Sequence, residues 1–373
     1  MTAKVIAAGH ICLDVTPVFP QNGGELRELL APGRLVQMGP ADVHTGGSVA
    51  NTGLGLKALG VDVRLMGKVG ADAFGGMVRE ILDRYGAGGD LIVDGEGTTS
   101  YSIVLSPPGV DRIFLHHPGA NATFTGAEIP DEALAEASLF HFGYPPLMPE
   151  MYRRDGERLA ELFRRARVAG CATSLDLAAV DPTTEAGRTD WRRVLERVLP
   201  EVDFFVPSVE ELAYMLDRPL WEDWCRRSGG GSLTDVIDPE TEAMPLARRC
   251  LELGAGAVLL KCGTPGLCWC TGSGARLARV SSRVPLEAAR WADKEGFQPS
   301  FRPERVLSAT GAGDTCIAAF LAAALEGCGP EECAALAAAQ GACCVEAYDA
   351  VSGLHTLPWL REKIASGWAQ QEI

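Results

Sequence analysis

The sequence predicts an α/β fold built on a central, mostly parallel sheet with helices on both faces and a small β lid. Three observations predict it. Short apolar runs rich in β-branched residues alternate with longer amphipathic stretches, which is the rhythm of strand-helix-strand units. The amphipathic stretches stop at glycines, where a left-handed residue ends a helix. A chain of 373 residues, 47% of them hydrophobic, can cover such a sheet from both sides, which excludes a disordered protein and a disulfide-stapled miniprotein.

In chain order, strands are expected from Val5 to Ala8, Val63 to Val69, Leu139 to Phe142, Ala172 to Leu177, Phe204 to Val206 and Val258 to Lys261. Helical patterns lie between them, with Phe74 to Tyr85 closed by Gly86 and Met151 to Ala169 closed by Gly170. Two regions break this rhythm. Tyr101 to Leu105 and Arg112 to Leu115 flank the turn formers Pro107, Pro108 and Gly109, while Val15 to Val43 carries scattered Pro and Gly between short apolar pieces. Together they predict the lid, about residues 13–45 and 95–120, standing off the main body. Ser228 to Ser232 and Ser273 to Pro303 read as loop-like insertions. Around the first of these, Trp221, Trp224, Arg226 and Arg227 are expected to pack on the body or on another subunit. Nothing marks a second domain, so residues 1–373 read as one unit.

Lys plus Arg total 34 against 49 Asp plus Glu, a net charge of −15, which would repel a phosphate backbone or an anionic leaflet. Neither nucleic acid nor a membrane is therefore an expected partner, and any anionic ligand needs a locally built site. The 12 cysteines form no CxxC pair and read as free or buried thiols of a reducing compartment. Met1 runs almost directly into the first strand without signal-peptide zones, and the longest apolar run, Cys316 to Leu325, is far too short to span a bilayer. A cytoplasmic protein is the expectation.

The most informative segment is Ser308-Ala309-Thr310-Gly311-Ala312-Gly313-Asp314-Thr315, followed by a small-residue helix pattern that stops at Gly327. Its glycines let consecutive amides converge before the positive end of that helix, and Asp314 stands beside them. Such a turn can hold a phosphoryl group and accept a proton from an attacking hydroxyl, which phosphoryl transfer requires close together. Taken alone, a glycine-rich turn with an Asp is also ordinary loop chemistry. No GxxxxGK[ST] and no GxGxxG after an expected strand competes for a phosphate.

At this point the sequence resembles the ribokinase-like (PfkB) family of carbohydrate kinases. Thr310-Gly311-Ala312-Gly313-Asp314 is similar to the core of that family's C-terminal signature, and Gly46-Gly47-Ser48-Val49-Ala50-Asn51 to its N-terminal one. Gly67 to Gly75, Gly9 to Asp14, His117 to Asn121 and Pro207 to Glu211 resemble further family segments in the same order. The resemblance implies a ribokinase-like fold and transfer of the γ-phosphoryl group of ATP, with Mg²⁺, to a hydroxyl of a sugar or nucleoside, usually a primary one. It implies that Asp314 is the catalytic base and that the Gly311, Ala312 and Gly313 amides form an anion hole. Asp14, Gly46, Gly47 and Asn51 would bind acceptor hydroxyls, for which a carboxylate and an amide are suited. Glu211 resembles the glutamate of the NxxE motif that organises Mg²⁺ and phosphate through water, with Ser208 in place of the motif's Asn. Lys261, Gly263 and Gly266 resemble the strand and turn that border the nucleotide, and Arg112 on the hairpin could close over substrate.

Ser308 and Ala309 stand where the family usually has Asp-Thr, which argues against potassium activation, and Asp349 in the later loop reads as a loop cap. Adjacent His116 and His117 point to opposite faces of a strand and do not share a metal, while His10 and His141 are expected as satisfied core histidines. A carbohydrate kinase is the reading, with a nucleoside kinase or a non-catalytic sugar- or nucleoside-binding sensor of the same fold as the alternatives. Pairing of two copies through the lid is expected where such kinases dimerise.

Overall fold

β1 (Lys4–Gly9) is apolar on both faces because helices cover both: Val5 and Ala7 enter one core, Ile6 and Ala8 the other. The computed structural model describes residues 4–19, 31–107 and 113–372. Beyond β1 its strands are β2 (Cys12–Pro17), β3 (Ala41–Gly46), β4 (Asp62–Gly70), β5 (Ile92–Asp94), β6 (Tyr101–Leu105), β7 (Ile113–His117), β8 (Leu139–Gly143), β9 (Ala172–Leu175), β10 (Phe204–Phe205), β11 (Ala257–Lys261), β12 (Gly266–Thr271) and β13 (Glu295–Pro299). Nine of them form one sheet in the order β13-β12-β11-β10-β9-β8-β1-β4-β5. All neighbours are parallel except at one edge, where β12 runs against β11 and β13. The other four form a separate sheet, β3-β2-β6-β7, in the place expected for the lid.

Among the helices, α1 (Ser48–Ala58), α2 (Ala73–Arg84), α5 (Ala312–Leu325) and α6 (Pro330–Cys344) cover one face of the large sheet, whereas α3 (Pro149–Val168) and α4 (Val209–Leu216) cover the other. α5 is buried nearly all round and made largely of Ala, so its neighbours come very close. A Cβ added to Gly55 of α1 would sit 2.8 Å from Ala318 Cβ, and one added to Gly341 of α6 would sit 2.5 Å from Cys316 Sγ. The helix that begins at the glycine-rich turn is thereby clamped from two sides. Asn121 fixes the corner between β1 and β2: its side chain donates to Ile11 O at 2.8 Å and accepts from Ile11 N at 3.3 Å.

The segment from Ser273 to Pro303 departs from expectation. It contains two short helices, Gly274–Leu277 and Ala288–Trp291, as well as β13. Trp291 is fully buried, edge-on to Phe204 and Phe320 with centroids 6.0 and 6.2 Å away. The earlier insertion packs on its own chain. Trp224 lies in the core, while Trp221 meets Tyr214 edge-on and Arg218 stacks over the Tyr214 ring at 3.2 Å. Ser228 to Ser232 is a turn with Gly229 and Gly230 at positive φ. No helix among the described residues is long and apolar enough to cross a membrane.

Candidate active site

The C-terminal ends of the parallel strands meet the first turn of α5 beneath the lid. Gly311, its N-cap, has φ 77°, a left-handed conformation that glycine adopts freely. A side chain there would also strike the next loop, because a Cβ would lie 2.2 Å from Ala350 Cβ. That loop is held by Asp349, which accepts the Val351 and Ser352 amides at 2.7 Å each, the loop-capping role expected of it. No side chain caps α5; the Ala312 amide donates to Ala309 O at 3.4 Å, which corrects the expectation that it joins an open anion hole, and the Gly313 and Asp314 amides carry the helix's positive end.

Asp314, in that first turn, is 4% exposed. Its carboxylate accepts from Asn51 Nδ2 at 3.0 Å, Thr52 Oγ1 at 3.2 Å and the Tyr144 hydroxyl at 2.9 and 2.8 Å. Asn51 and Thr52 come from α1 and Tyr144 from the end of β8, so three side chains from two elements aim one carboxylate. Burial, and then the neighbouring Asp314 charge, raise the Tyr144 phenol well above its ordinary range and keep it a donor. Tyr144 itself has φ 65°, a left-handed conformation costly for a bulky residue.

The next pocket is built on Gly46 and Gly47. Asp14 Oδ2 stands only 2.0 Å from where a Gly46 Cβ would be, so glycine is required for the carboxylate to lie there. Cys12 Sγ donates to Asp14 at 3.3 Å, and burial raises the Asp14 pKa against the lowering effect of Cys12, Ser102 and His44. Gly47, the N-cap of α1 with φ 86°, faces His10, whose Nδ1 is 2.6 Å from the site of the missing Cβ. His141 is satisfied by Ser48 at 3.3 Å and Ser174 at 3.0 Å, as expected. His10 corrects the expectation: it is 2% exposed, and neither ring nitrogen has a hydrogen-bond partner.

On the other side of Asp314 lies Lys261, at the end of β11. Its Nζ bonds Asp176 Oδ1 at 2.7 Å, and its chain lies 3.6 to 3.8 Å from where a Gly313 Cβ would be. Burial pushes Asp176 up to about 8; Lys261 pulls it back, and Glu211 and Asp314 raise it further. Burial alone would lower the Lys261 ammonium, but Asp176, Glu211 and Asp314 hold it above its ordinary value. Asp176 alone bonds this largely covered ammonium, and Glu211 and Asp314 act on it through their charge. Glu211 also reaches back to the Ser208 amide at 2.9 Å and so serves its helix end, while Ser208 forms a parallel bridge with Lys261. Gly263 and Gly266 answer to the chain's own packing: a Cβ would meet Thr234 at 2.8 Å in the first case and Gln298 O at 2.2 Å in the second. Arg112 lies outside the described residues.

The model of the pfkB family of carbohydrate kinases matches residues 3–357. The chain belongs to that family. This pfkB kinase is 26% identical over 301 residues to a protein of Archaeoglobus fulgidus described as an uncharacterized sugar kinase, covering 81% of this chain and 98% of that one. It is 24% identical over 334 residues to a ribokinase of Arabidopsis thaliana, covering 88% and 74% of the two chains. Among solved structures it resembles a fructokinase with bound ATP from Xylella fastidiosa, with a TM-score of 0.69 and 20% identity over 98% of this chain and 99% of that one. It also resembles a nucleoside kinase of Methanocaldococcus jannaschii, at 0.64 and 20% over 98% of each chain. At these identities the structures establish the ribokinase-like fold, as expected from the sequence. Family membership makes the chain an ATP-dependent sugar or nucleoside kinase.

Asp176, Tyr144 and Thr52 were not singled out by the sequence. The signal available for Asp176 and Tyr144 was position, since both follow parallel strands at the sheet end where open α/β sheets bind ligands. The carboxylates near Lys261 fit the hard-oxygen chemistry of Mg²⁺; Asp176 is pushed up chiefly by burial and further by the Glu211 and Asp314 charges, and a divalent cation would relieve both.

Proposed function

We propose that this pfkB kinase moves the γ-phosphoryl group of ATP to a primary hydroxyl of a sugar or sugar-like acceptor, with Asp314 as the base. The observation that carries the proposal is the buried Asp314 carboxylate in the uncapped first turn of α5, between the Gly46–Gly47 pair beside Asp14 and the largely covered Lys261. Asn51, Thr52 and Tyr144 orient the carboxylate, and the acceptor hydroxyl enters against it. The hydroxyl proton passes to Asp314 as the oxygen attacks the γ-phosphorus, the bond to the β-phosphate oxygen breaks and ADP leaves. The Gly311 and Gly313 amides and Lys261 receive the charge on the transferring group. Asp176 and Glu211 would hold Mg²⁺, which when bound neutralises phosphate charge. The lid sheet covers the acceptor and excludes water that would otherwise take the phosphoryl group. The protein works in the cytoplasm, in keeping with twelve free thiols.

The test is ADP release from Mg·ATP over a panel of sugars and nucleosides. Acceptor-dependent ADP is expected; binding of an acceptor without ADP would favour the sensor and overturn the proposal. Gly46→Ala should raise the acceptor KM at least about tenfold with the ATP KM unchanged, because the new methyl displaces Asp14. Steady-state kinetics with each substrate varied checks this. No potassium requirement is proposed, because the Ser308 hydroxyl accepts the Thr310 amide at 3.1 Å and Asp349 is engaged by its own loop. Equal rates with and without KCl in tetramethylammonium buffer are expected.

A further inference from the structure

His10 follows β1, in the segment between the main sheet and the lid. Among the described residues, both of its ring nitrogens are buried without a partner, whereas His116 is matched by Ser102 at 3.1 Å, His117 by Thr98 at 3.0 Å and His141 by two serines. Buried polar groups are nearly always satisfied, and an exception calls for an absent partner. The surroundings say where that partner comes from. His10 Nδ1 stands over Gly47 as Asp14 stands over Gly46, so two polar groups converge on one glycine pair. The Tyr144 ring lies 6.1 Å from the His10 ring, and its hydroxyl reaches Asp314. Asp14, His10 and Asp314 are therefore joined in sequence through the Gly46–Gly47 pair and Tyr144.

We propose that His10 reads hydroxyls of an uncharged polyol or sugar acceptor, donating through one ring nitrogen and accepting through the other, and so selects neutral acceptors over sugar acids. This rests on the function proposed above. A neutral imidazole offers one N–H and one lone pair, which two neighbouring hydroxyls satisfy together. Burial, with His116 beside it, lowers the His10 pKa to about 3, so the ring offers no charge to a carboxylate. Lys261 is already held by Asp176. The side chain that closes over His10 is His116, with ring centroids 5.2 Å apart. His116 belongs to β7 and its hydrogen bond goes to Ser102 of β6, so the ring beside His10 is part of the lid sheet, and the proposal requires an acceptor to enter between them.

The experiment compares wild type, His10→Leu and His10→Gln with D-ribose, D-fructose, adenosine and 2-keto-3-deoxygluconate, by ADP release with Mg·ATP and by melting temperature with each acceptor alone. The best wild-type acceptor should be uncharged. His10→Leu should raise its KM about tenfold or more, leave the ATP KM unchanged and abolish the acceptor-induced rise in melting temperature. His10→Gln, which keeps a donor and an acceptor, should recover part of the loss, and without ligand His10→Leu should melt no lower than wild type. An unchanged acceptor KM in His10→Leu, a sugar acid as best acceptor, or a wild-type melting temperature that no uncharged acceptor raises overturns the proposal. Absence of ADP with every acceptor would instead overturn the proposed reaction, and the melting series would still decide the role of His10.

Discussion

Asp314→Asn is expected to lower kcat on the order of 10³-fold or more while the ATP KM stays nearly constant, the loss that follows when a general base and the aim of the nucleophile are removed together. The substitution keeps size and shape. Its amide oxygen can still accept from Tyr144 and Thr52, so the pocket is retained, but it cannot take the hydroxyl proton. The ATP side should be spared, because the amides of the first turn belong to the main chain and Lys261 is held by Asp176 rather than by Asp314. Separate determination of kcat and both KM values checks this, with thermal unfolding as the control for folding. An Asn variant with near-normal turnover would show that the proton goes elsewhere.

The central strands were legible in the sequence because burial on both faces leaves an unbroken apolar run, as in Val5 to Ala8, and the lid was legible because Pro and Gly punctuate it. β13 was not. Its residues, Glu-Gly-Phe-Gln-Pro, carry no alternation, since an antiparallel edge strand is only partly covered, and the buried Trp291 beside it was the overlooked cue. The site divides in the same way. Gly46, Gly47, Gly311 and Asp314 could be found because local turn chemistry dictates residue type within a few positions. Thr52, Tyr144 and Asp176 are single polar residues whose partners lie 262, 170 and 85 positions away, so only the sheet brings them into contact. His10 was misread for a related reason: a buried histidine is usually satisfied, and the absence of a partner is visible only in three dimensions.

Lys261→Met should lower folding stability at pH 8.5 by about 1 kcal/mol more than at pH 5.5, because Asp176 without its counter-ion must keep a proton that the wild-type carboxyl has begun to release. The cost should shrink as the pH falls. The Asp176 carboxyl is raised from 3.8 to about 8 in the folded chain, so the stability it contributes is fully present below about pH 4 and is lost as the pH climbs through 8. Lys261 pulls that value down; without it Asp176 stays protonated to higher pH, and the deficit of the variant grows from pH 5.5 to pH 8.5. Urea midpoints of both proteins at the two pH values measure this. Adding Asp176→Asn to Lys261→Met should remove the extra deficit at pH 8.5, since no buried carboxyl is then left to titrate. It should not recover kcat, expected to fall on the order of 10²-fold with the loss of a cation from beside the Gly313 turn. A deficit equal at both pH values would mean that lost packing, and not the titration of Asp176, is the cause. A double variant with restored turnover would remove Lys261 from the transfer step and leave the amides of α5 to hold the phosphoryl charge alone.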